Sequence, residues 1–173
     1  MVYDSKTDTI FNYIDRNYKK TIVFFPGWAS DYRIFNLLDL EYNYILPTKL
    51  NPFLFENFLF DAIKKNKLNK ISVLGWSLGG FLAAEFALKY PDYLNELILV
   101  SIRTKYSGQV ISQIKKYLRK NKKTFLYSFY NQCFSDKDSG KWFKENLLKS
   151  YCEDLALSDL LEGLEYLKKE ELN

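Results

Sequence analysis

Short apolar runs alternate with amphipathic stretches through the first hundred residues of the chain. Four apolar runs, rich in β-branched and aromatic residues, are typical of buried strands; they lie at residues 21–25, 42–50, 70–76 and 94–102. The amphipathic stretches between them predict crossover helices and therefore a parallel sheet, which is an α/β fold. In the last strand, the uninterrupted apolar run at 97–100 predicts that both of its faces are covered.

Two of the predicted helices have recognisable ends. Asn51 is expected to cap the first of them, with Pro52 at its first position. Its apolar positions recur with helical spacing, at Phe55, Phe58, Leu59, Ala62 and Ile63. The second helix is predicted over residues 77–89, and Pro91 ends it because proline cannot continue the hydrogen-bond ladder.

The pattern changes after Ser101, where the helical spacing of apolar residues continues for about 70 residues. Apolar stripes of this kind pack a core more often than they bind a ligand. An all-helical block that follows a sheet strand predicts a cap or lid. We therefore divide the chain into an α/β core at 1–102, with a partial sheet truncated at its C-terminal edge, and a helical lid at 103–173.

The hexapeptide Gly75-Trp76-Ser77-Leu78-Gly79-Gly80 lies between an apolar strand and an alanine-rich helix. In this context Gly-x-Ser-x-Gly marks a sharp strand-to-helix turn with the serine at its apex, and the small residues let the strand and the helix approach closely. Ser77 is therefore predicted to be a nucleophile. The alternative is a glycine-rich turn that carries an incidental serine.

A second turn, Pro26-Gly27-Trp28-Ala29, follows the strand at 21–25 and precedes the elbow by about 50 residues. Next to a nucleophile elbow, a loop at this place supplies one oxyanion-hole amide, and the residue after the nucleophile supplies the other. The predicted donors are the backbone amides of Trp28 and Leu78. Each such donor stabilises a tetrahedral intermediate by roughly 3 kcal/mol. The alternative is that this segment is only a turn.

Composition narrows the class of protein. The chain is 47% hydrophobic and 18% aromatic, which is typical of a globular protein. No apolar run approaches the roughly 20 residues of a membrane span, and residues 1–8 do not resemble a secretory signal. Cys133 and Cys152 lack metal-ligand spacing and are expected to be reduced thiols in a cytoplasmic protein. Without histidine or a cysteine pair, we expect no zinc site and no cofactor.

Charge is distributed unevenly along the predicted lid. Residues 103–149 contain 12 lysines and arginines against three acidic residues, whereas residues 150–173 contain two lysines against seven acidic residues. One interpretation is a solvated helix surface, and the other is a docking patch for an acidic partner. Nucleic acid is not expected, because no basic–aromatic recognition motif occurs.

Residues 21–173 resemble the α/β-hydrolases, and more narrowly the methyl ester esterases that act on pimeloyl-acyl-carrier protein in biotin synthesis. The resemblance rests on Pro26-Gly27-Trp28, Asp31, the elbow with Trp76 before the serine, the helix at 81–91, the strand at 97–101 and the helix at 159–168. It implies a serine esterase that cleaves an ester carried on acyl carrier protein.

The resemblance also implies roles for individual residues. Ser77 would be the nucleophile, the amides of Trp28 and Leu78 would form the oxyanion hole, and Trp76 would contact the substrate. The basic residues of the lid would face the acidic carrier protein, and those expected there are Lys123, Lys141 and Lys144.

The sequence departs from the family pattern at two points. Pro26 stands where the family usually has histidine, a residue that is not the catalytic base. The family's acid and base follow two further strands, in the chain order Ser, Asp, His, whereas this sequence contains no histidine. We expect both groups to lie outside these 173 residues, and we do not assign their roles to Asp154 or Asp159, which belong to the lid pattern.

Three interpretations of function remain open. The chain is part of an esterase whose remainder is missing or is supplied by a complementing polypeptide, or it is a non-catalytic relative that binds an acyl or carrier-protein partner. The third is residual hydrolysis by Ser77 and the oxyanion hole alone, with about 10³–10⁴-fold acceleration over water. Because the strand at 94–102 would be an open apolar edge, we also expect association through that edge or poor solubility.

Overall fold

A computed structural model describes residues 9–172 of the chain. Its centre is a five-stranded sheet with the order β1-β3-β2-β4-β5. The strands are β1 (Ile10–Ile14), β2 (Thr21–Phe25), β3 (Asn43–Lys49), β4 (Ile71–Trp76) and β5 (Leu94–Val100). β1 is antiparallel to β3, and the other pairs are parallel. The predicted α/β class with a mostly parallel sheet is confirmed.

Two helices cross between strands and five follow the sheet. The crossover helices are α1 (Phe55–Lys65) and α2 (Leu78–Lys89). The helices after the sheet are α3 (Gly108–Lys120), α4 (Lys122–Cys133), α5 (Lys137–Asn146), α6 (Leu148–Asp154) and α7 (Leu157–Lys169). As predicted, α2 ends before Pro91, which begins a short 3₁₀ turn.

Alternation along β2 divides its side chains between two apolar clusters. Val23 and Phe25 belong to the main core, which also contains residues of α1, α2 and the helices after the sheet. Ile22 and Phe24 face a smaller cluster that is covered by the segment between β2 and β3. Because both faces of β2 are buried, its sequence is a continuous apolar and β-branched run.

Two expectations about the sheet and its connections are wrong, and one strand was not predicted. Asn51 does not cap α1: its side chain accepts a hydrogen bond from the Phe53 amide at 2.9 Å, and the helix begins only at Phe55. The local Asn turn satisfies the backbone before the helix starts.

The strand β1 was not predicted, because its five residues alternate between exposed and half-buried positions at the sheet margin and give only a weak apolar signal.

The second wrong expectation concerns β5. Residues 97–100 are each 38–40% exposed, so their faces are not covered as their hydrophobicity predicts. The reason is position: β5 is the last strand of the sheet, and within residues 9–172 no strand pairs with its outer side. The open apolar edge that the sequence also predicts is therefore present among the described residues.

Two further expectations from the sequence concern a membrane span and a secretory signal. Between residues 9 and 172, no helix combines the length and the apolar character that a membrane crossing requires. Residues 1–8, on which the expectation about a secretory signal rests, lie outside the described part of the chain.

Three elements meet closely where β4 turns into α2. A Cβ atom on Gly79 would lie 2.1 Å from the carbonyl oxygen of Phe25 at the end of β2. A Cβ atom on Gly75 would lie 2.3 Å from the carbonyl oxygen of Gly79. Only glycine therefore allows the first turn of α2 to pack directly on the ends of two parallel strands.

We predict that Gly79→Ala lowers the free energy of unfolding by about 3 kcal/mol or more, because the added methyl group meets backbone that cannot rotate away. Gly108→Ala is the matched control, since the nearest atom to its new Cβ is 3.9 Å away. Chemical denaturation of the two variants measures the difference. Equal stability would show that the elbow is not tightly packed.

Candidate active site

Ser77 occupies the apex of the turn between β4 and α2. Its backbone has φ 53° and ψ −111°, a conformation that is strained for a residue with a side chain. The Ser77 amide donates a 3.0 Å hydrogen bond to the carbonyl oxygen of Val100 at the end of β5. The turn is thus held between two strands, and the hydroxyl projects into a cavity above the sheet.

The two amides predicted for the oxyanion hole are available. Within residues 9–172, neither the Trp28 amide nor the Leu78 amide donates a hydrogen bond to another group. Leu78 begins α2, where the first backbone N–H groups have no acceptor inside the helix. Positive potential at this helix end favours a developing oxyanion.

Helices of the predicted lid hold the loop that contains Trp28. The Trp28 indole N–H donates a 2.9 Å hydrogen bond to the carbonyl oxygen of Leu160 in α7. The Tyr130 hydroxyl of α4 donates to the carbonyl oxygen of Ala29, a residue with φ 60°. Gly163 of α7 leaves room for this approach, because a Cβ atom there would lie 2.9 Å from the Trp28 ring.

A buried tyrosine and an ion pair fix the next turn of the same loop. Arg33 binds the carboxylate of Asp31 through Nε and Nη2, at 3.0 and 2.7 Å. The Tyr151 hydroxyl of α6 lies 3.1 Å from the same carboxylate and donates to it. Burial raises the pKa of Tyr151 and also that of Tyr130, so both hydroxyls stay protonated donors at neutral pH.

The Ser77 hydroxyl opens into a cavity of about 590 Å³ between the sheet and the helices that follow it. Most of its wall is apolar or aromatic, and includes Ile111, Ile114, Phe129, Phe143, Leu164 and Leu167. This volume is within the range of small-molecule sites. The cavity therefore has the size and the apolar lining of a small-molecule site, with Ser77 in its wall.

The other residues predicted for substrate contact are dispersed. Trp76 lines the same cavity as Ser77. Lys141 and Lys144 line a neighbouring cavity of about 450 Å³, which shares Tyr130 and Phe134 with the first. Lys123 lies in neither cavity and forms a 3.1 Å ion pair with Glu153. Their predicted roles remain predictions.

Sequence reasoning missed two residues of the cavity wall, Arg103 and Tyr106, both in the connection from β5 to α3. The Tyr106 hydroxyl lies 3.2 Å from the Ser77 hydroxyl. No motif marks this loop, and only its place directly after a strand end indicated that its side chains reach the elbow.

Among residues 9–172, no cluster of three or more potential metal ligands occurs.

Comparison with known proteins agrees with the observed fold. Residues 53–157 match the family model described as the alpha/beta hydrolase fold. The chain belongs to this family.

Short segments of the chain also resemble individual family members. The 1-acylglycerol-3-phosphate O-acyltransferase ICT1 of Saccharomyces cerevisiae is 45% identical over 51 residues, which are 27% of this chain and 13% of that protein. The human serine hydrolase BPHL is 44% identical over 39 residues, which are 22% of this chain and 13% of that protein. The matched segments thus span about an eighth of each relative's length.

Solved structures resemble the fold over nearly the whole chain. An esterase from Exiguobacterium antarcticum superposes with a TM-score of 0.76 at 16% identity, covering 95% of this chain and 71% of the esterase. The enol-lactonase of Burkholderia xenovorans gives a TM-score of 0.70 at 15% identity, covering 98% of this chain and 74% of that enzyme. At this identity the likeness shows the fold alone.

We predict that Tyr130→Phe lowers the free energy of unfolding by about 1–3 kcal/mol, because the carbonyl group of Ala29 loses its buried donor. Tyr127→Phe on the same helix is the control, since Tyr127 is exposed and its loss should cost less than about 0.5 kcal/mol. Urea titration compares the two variants. Similar values for both would show that the lid does not hold the loop.

Proposed function

We propose that the chain carries the nucleophile, the oxyanion hole and the acyl site of a serine carboxylesterase. Ser77 Oγ attacks the ester carbonyl, and the amides of Trp28 and Leu78 bind the resulting oxyanion. The acyl chain occupies the apolar cavity. One observation carries the proposal: the Ser77 hydroxyl lies at a strained apex, faces that cavity and directly precedes a free helix N-terminal amide.

The proton acceptor in this proposal comes from a complementing polypeptide segment outside the 173 residues. The chain contains no histidine, and serine needs a base to be an efficient nucleophile. The outer side of β5 supports the position of such a segment, because its apolar edge is open and the last β5 residue already bonds the Ser77 amide. A strand added there would bring its loop next to Ser77.

The substrate class in this proposal is a carrier-bound acyl ester of the pimeloyl methyl ester type. The cavity has room for an apolar chain of this length, and it is bounded by helices with an excess of basic residues. Acyl carrier proteins are acidic, so a basic rim favours their approach. The carboxylesterase and biotin-pathway roles rest on these features and on the resemblance of the elbow.

A second candidate function is non-catalytic binding of an acyl or carrier-protein partner. It is favoured by the hydrogen bond that occupies the Ser77 hydroxyl and by the lack of histidine in the sequence. In that case the cavity binds an acyl chain and Ser77 is a polar anchor. The two candidates differ in whether Ser77 becomes reactive when a base is supplied.

We predict that imidazole, used as a substitute for the missing base, accelerates fluorophosphonate labelling of Ser77 by about 10²-fold or more. Intact-mass and peptide mass spectrometry measure the rate and the site. Ser77→Ala should remove the label, while Ser112→Ala, an exposed serine of α3, should keep it.

The result separates the two candidates. If imidazole does not raise the rate of Ser77 labelling and the chain binds acyl ligands tightly, the esterase proposal is contradicted and the binding function is favoured. Rapid labelling without imidazole would instead contradict the need for an external base.

We predict that the double variant Lys141→Glu and Lys144→Glu weakens binding of an acyl carrier protein about tenfold at low salt, and less at high salt, because the contact is electrostatic. Lys64→Glu with Lys65→Glu at the end of α1 is the control with the same charge change. Calorimetric titration measures both. Unchanged affinity would exclude this face as the docking surface.

A further inference from the structure

Tyr106 is the hydrogen-bond partner of the proposed nucleophile. The 3.2 Å contact between its hydroxyl and that of Ser77 has suitable geometry with either oxygen as donor. Among residues 9–172, no other side chain forms a hydrogen bond with Ser77 Oγ. Both residues line the same cavity, so a substrate carbonyl at Ser77 would also lie beside Tyr106.

The position of Tyr106 is set by the fold. Its ring packs against Phe81 of α2, with centroids 6.1 Å apart. Its loop is joined to the end of α7, because the Leu172 amide donates a 2.8 Å hydrogen bond to the carbonyl oxygen of Thr104. Lys105 forms an isolated bridge and an ion pair with Glu171. A side chain held on both sides in this way is suited to a fixed task at the nucleophile.

A phenol can take part in proton transfer in both directions at once. Its oxygen accepts one hydrogen bond while its O–H donates another. Ester cleavage by serine needs both functions, because the serine oxygen must lose a proton and the departing alkoxide must gain one. Tyr106 is the described residue whose hydroxyl contacts Ser77 Oγ, and its oxygen and its O–H can serve the two oxygens of the reaction.

We propose that Tyr106 relays the proton in acylation of Ser77, an inference that rests on the proposed esterase function. As the Ser77 oxygen forms its bond to the carbonyl carbon, its proton moves to the Tyr106 oxygen, and the Tyr106 proton moves at the same time to the alkoxy oxygen of the ester. The carbonyl electron pair moves onto the oxyanion, and when this oxyanion re-forms the carbonyl group the ester C–O bond breaks and the alcohol leaves. The tyrosine ends the step neutral, the products are an acyl-serine and an alcohol, and no outside acid or base is consumed.

In the chain by itself, which contains no histidine, the relay takes the place of the complementing base, and it makes a distinctive demand on the leaving group. An alkoxide needs the relayed proton, whereas a 4-nitrophenolate departs without one. Loss of the Tyr106 hydroxyl should therefore harm acylation by an alkyl ester more than acylation by a 4-nitrophenyl ester of the same acid. A residue that only positions Ser77 would affect both esters equally.

The test compares wild type and Tyr106→Phe with ethyl butyrate and 4-nitrophenyl butyrate, by following acyl-Ser77 in intact-mass spectra. We expect a loss of roughly 10–100-fold with the ethyl ester and less than about threefold with the 4-nitrophenyl ester. Tyr117→Phe on the exposed side of α3 should match wild type with both. Circular dichroism checks that the variants are folded.

Several outcomes would overturn the relay. Equal losses with the two esters would leave Tyr106 a positioning residue, and faster acylation of Tyr106→Phe would make its hydroxyl an inhibitory contact. Failure of both esters to acylate Ser77 in the wild-type chain would also contradict the relay. The esterase proposal would survive that last result if imidazole still activated labelling of Ser77, so the two failures are distinguishable.

Discussion

The close contact between the first turn of α2 and the ends of β2 and β4 is the constraint on which the site depends. Gly75 and Gly79 permit a backbone separation that any side chain would prevent. That separation forces Ser77 into a strained conformation at the apex and leaves the Leu78 amide free at a helix end. Because β2 is the neighbour of β4, the loop with Trp28 begins at the same sheet edge. One packing contact thus places Ser77, Leu78 and the loop with Trp28 at the same end of the sheet.

The helices after the sheet are part of the site and do more than cover it. Their side chains or backbone bind three residues of the loop after β2, Trp28, Ala29 and Asp31. The same helices form much of the apolar wall of the cavity beside Ser77. Cavity shape and loop position are therefore coupled, because the same helices contact both.

The chain combines a serine at the apex of a strained strand-to-helix turn with a sequence that contains no histidine to serve as its base. The open edge of β5 lies close to the serine that lacks this base. The carbonyl oxygen of Val100, at the end of β5, accepts a hydrogen bond from the Ser77 amide, and the chain continues from β5 into the loop that contains Tyr106. A strand that pairs with β5 would arrive beside the nucleophile and the tyrosine together. The neighbouring solved structures are longer than this chain, with 71–74% of their length matched. The two proposed routes of proton transfer, by Tyr106 and by a complementing base, thus concern the same place in the fold.

By itself, the sequence determined the elements whose signals are local. Three local signals predicted structure correctly: the apolar runs predicted β2 and β4, the elbow glycines predicted the sharp turn, and Pro91 predicted the end of α2. Each signal lies within a few neighbouring residues, so it can be recognised without knowing the rest of the fold. Tertiary structure decided the rest. The exposure of β5 depends on which strands lie beside it. The ion pair of Lys123 depends on a helix 30 residues away, and the contact of Tyr106 with Ser77 depends on how its loop packs against the elbow. These are distances between segments far apart in the chain, and no pattern of neighbouring residues encodes them.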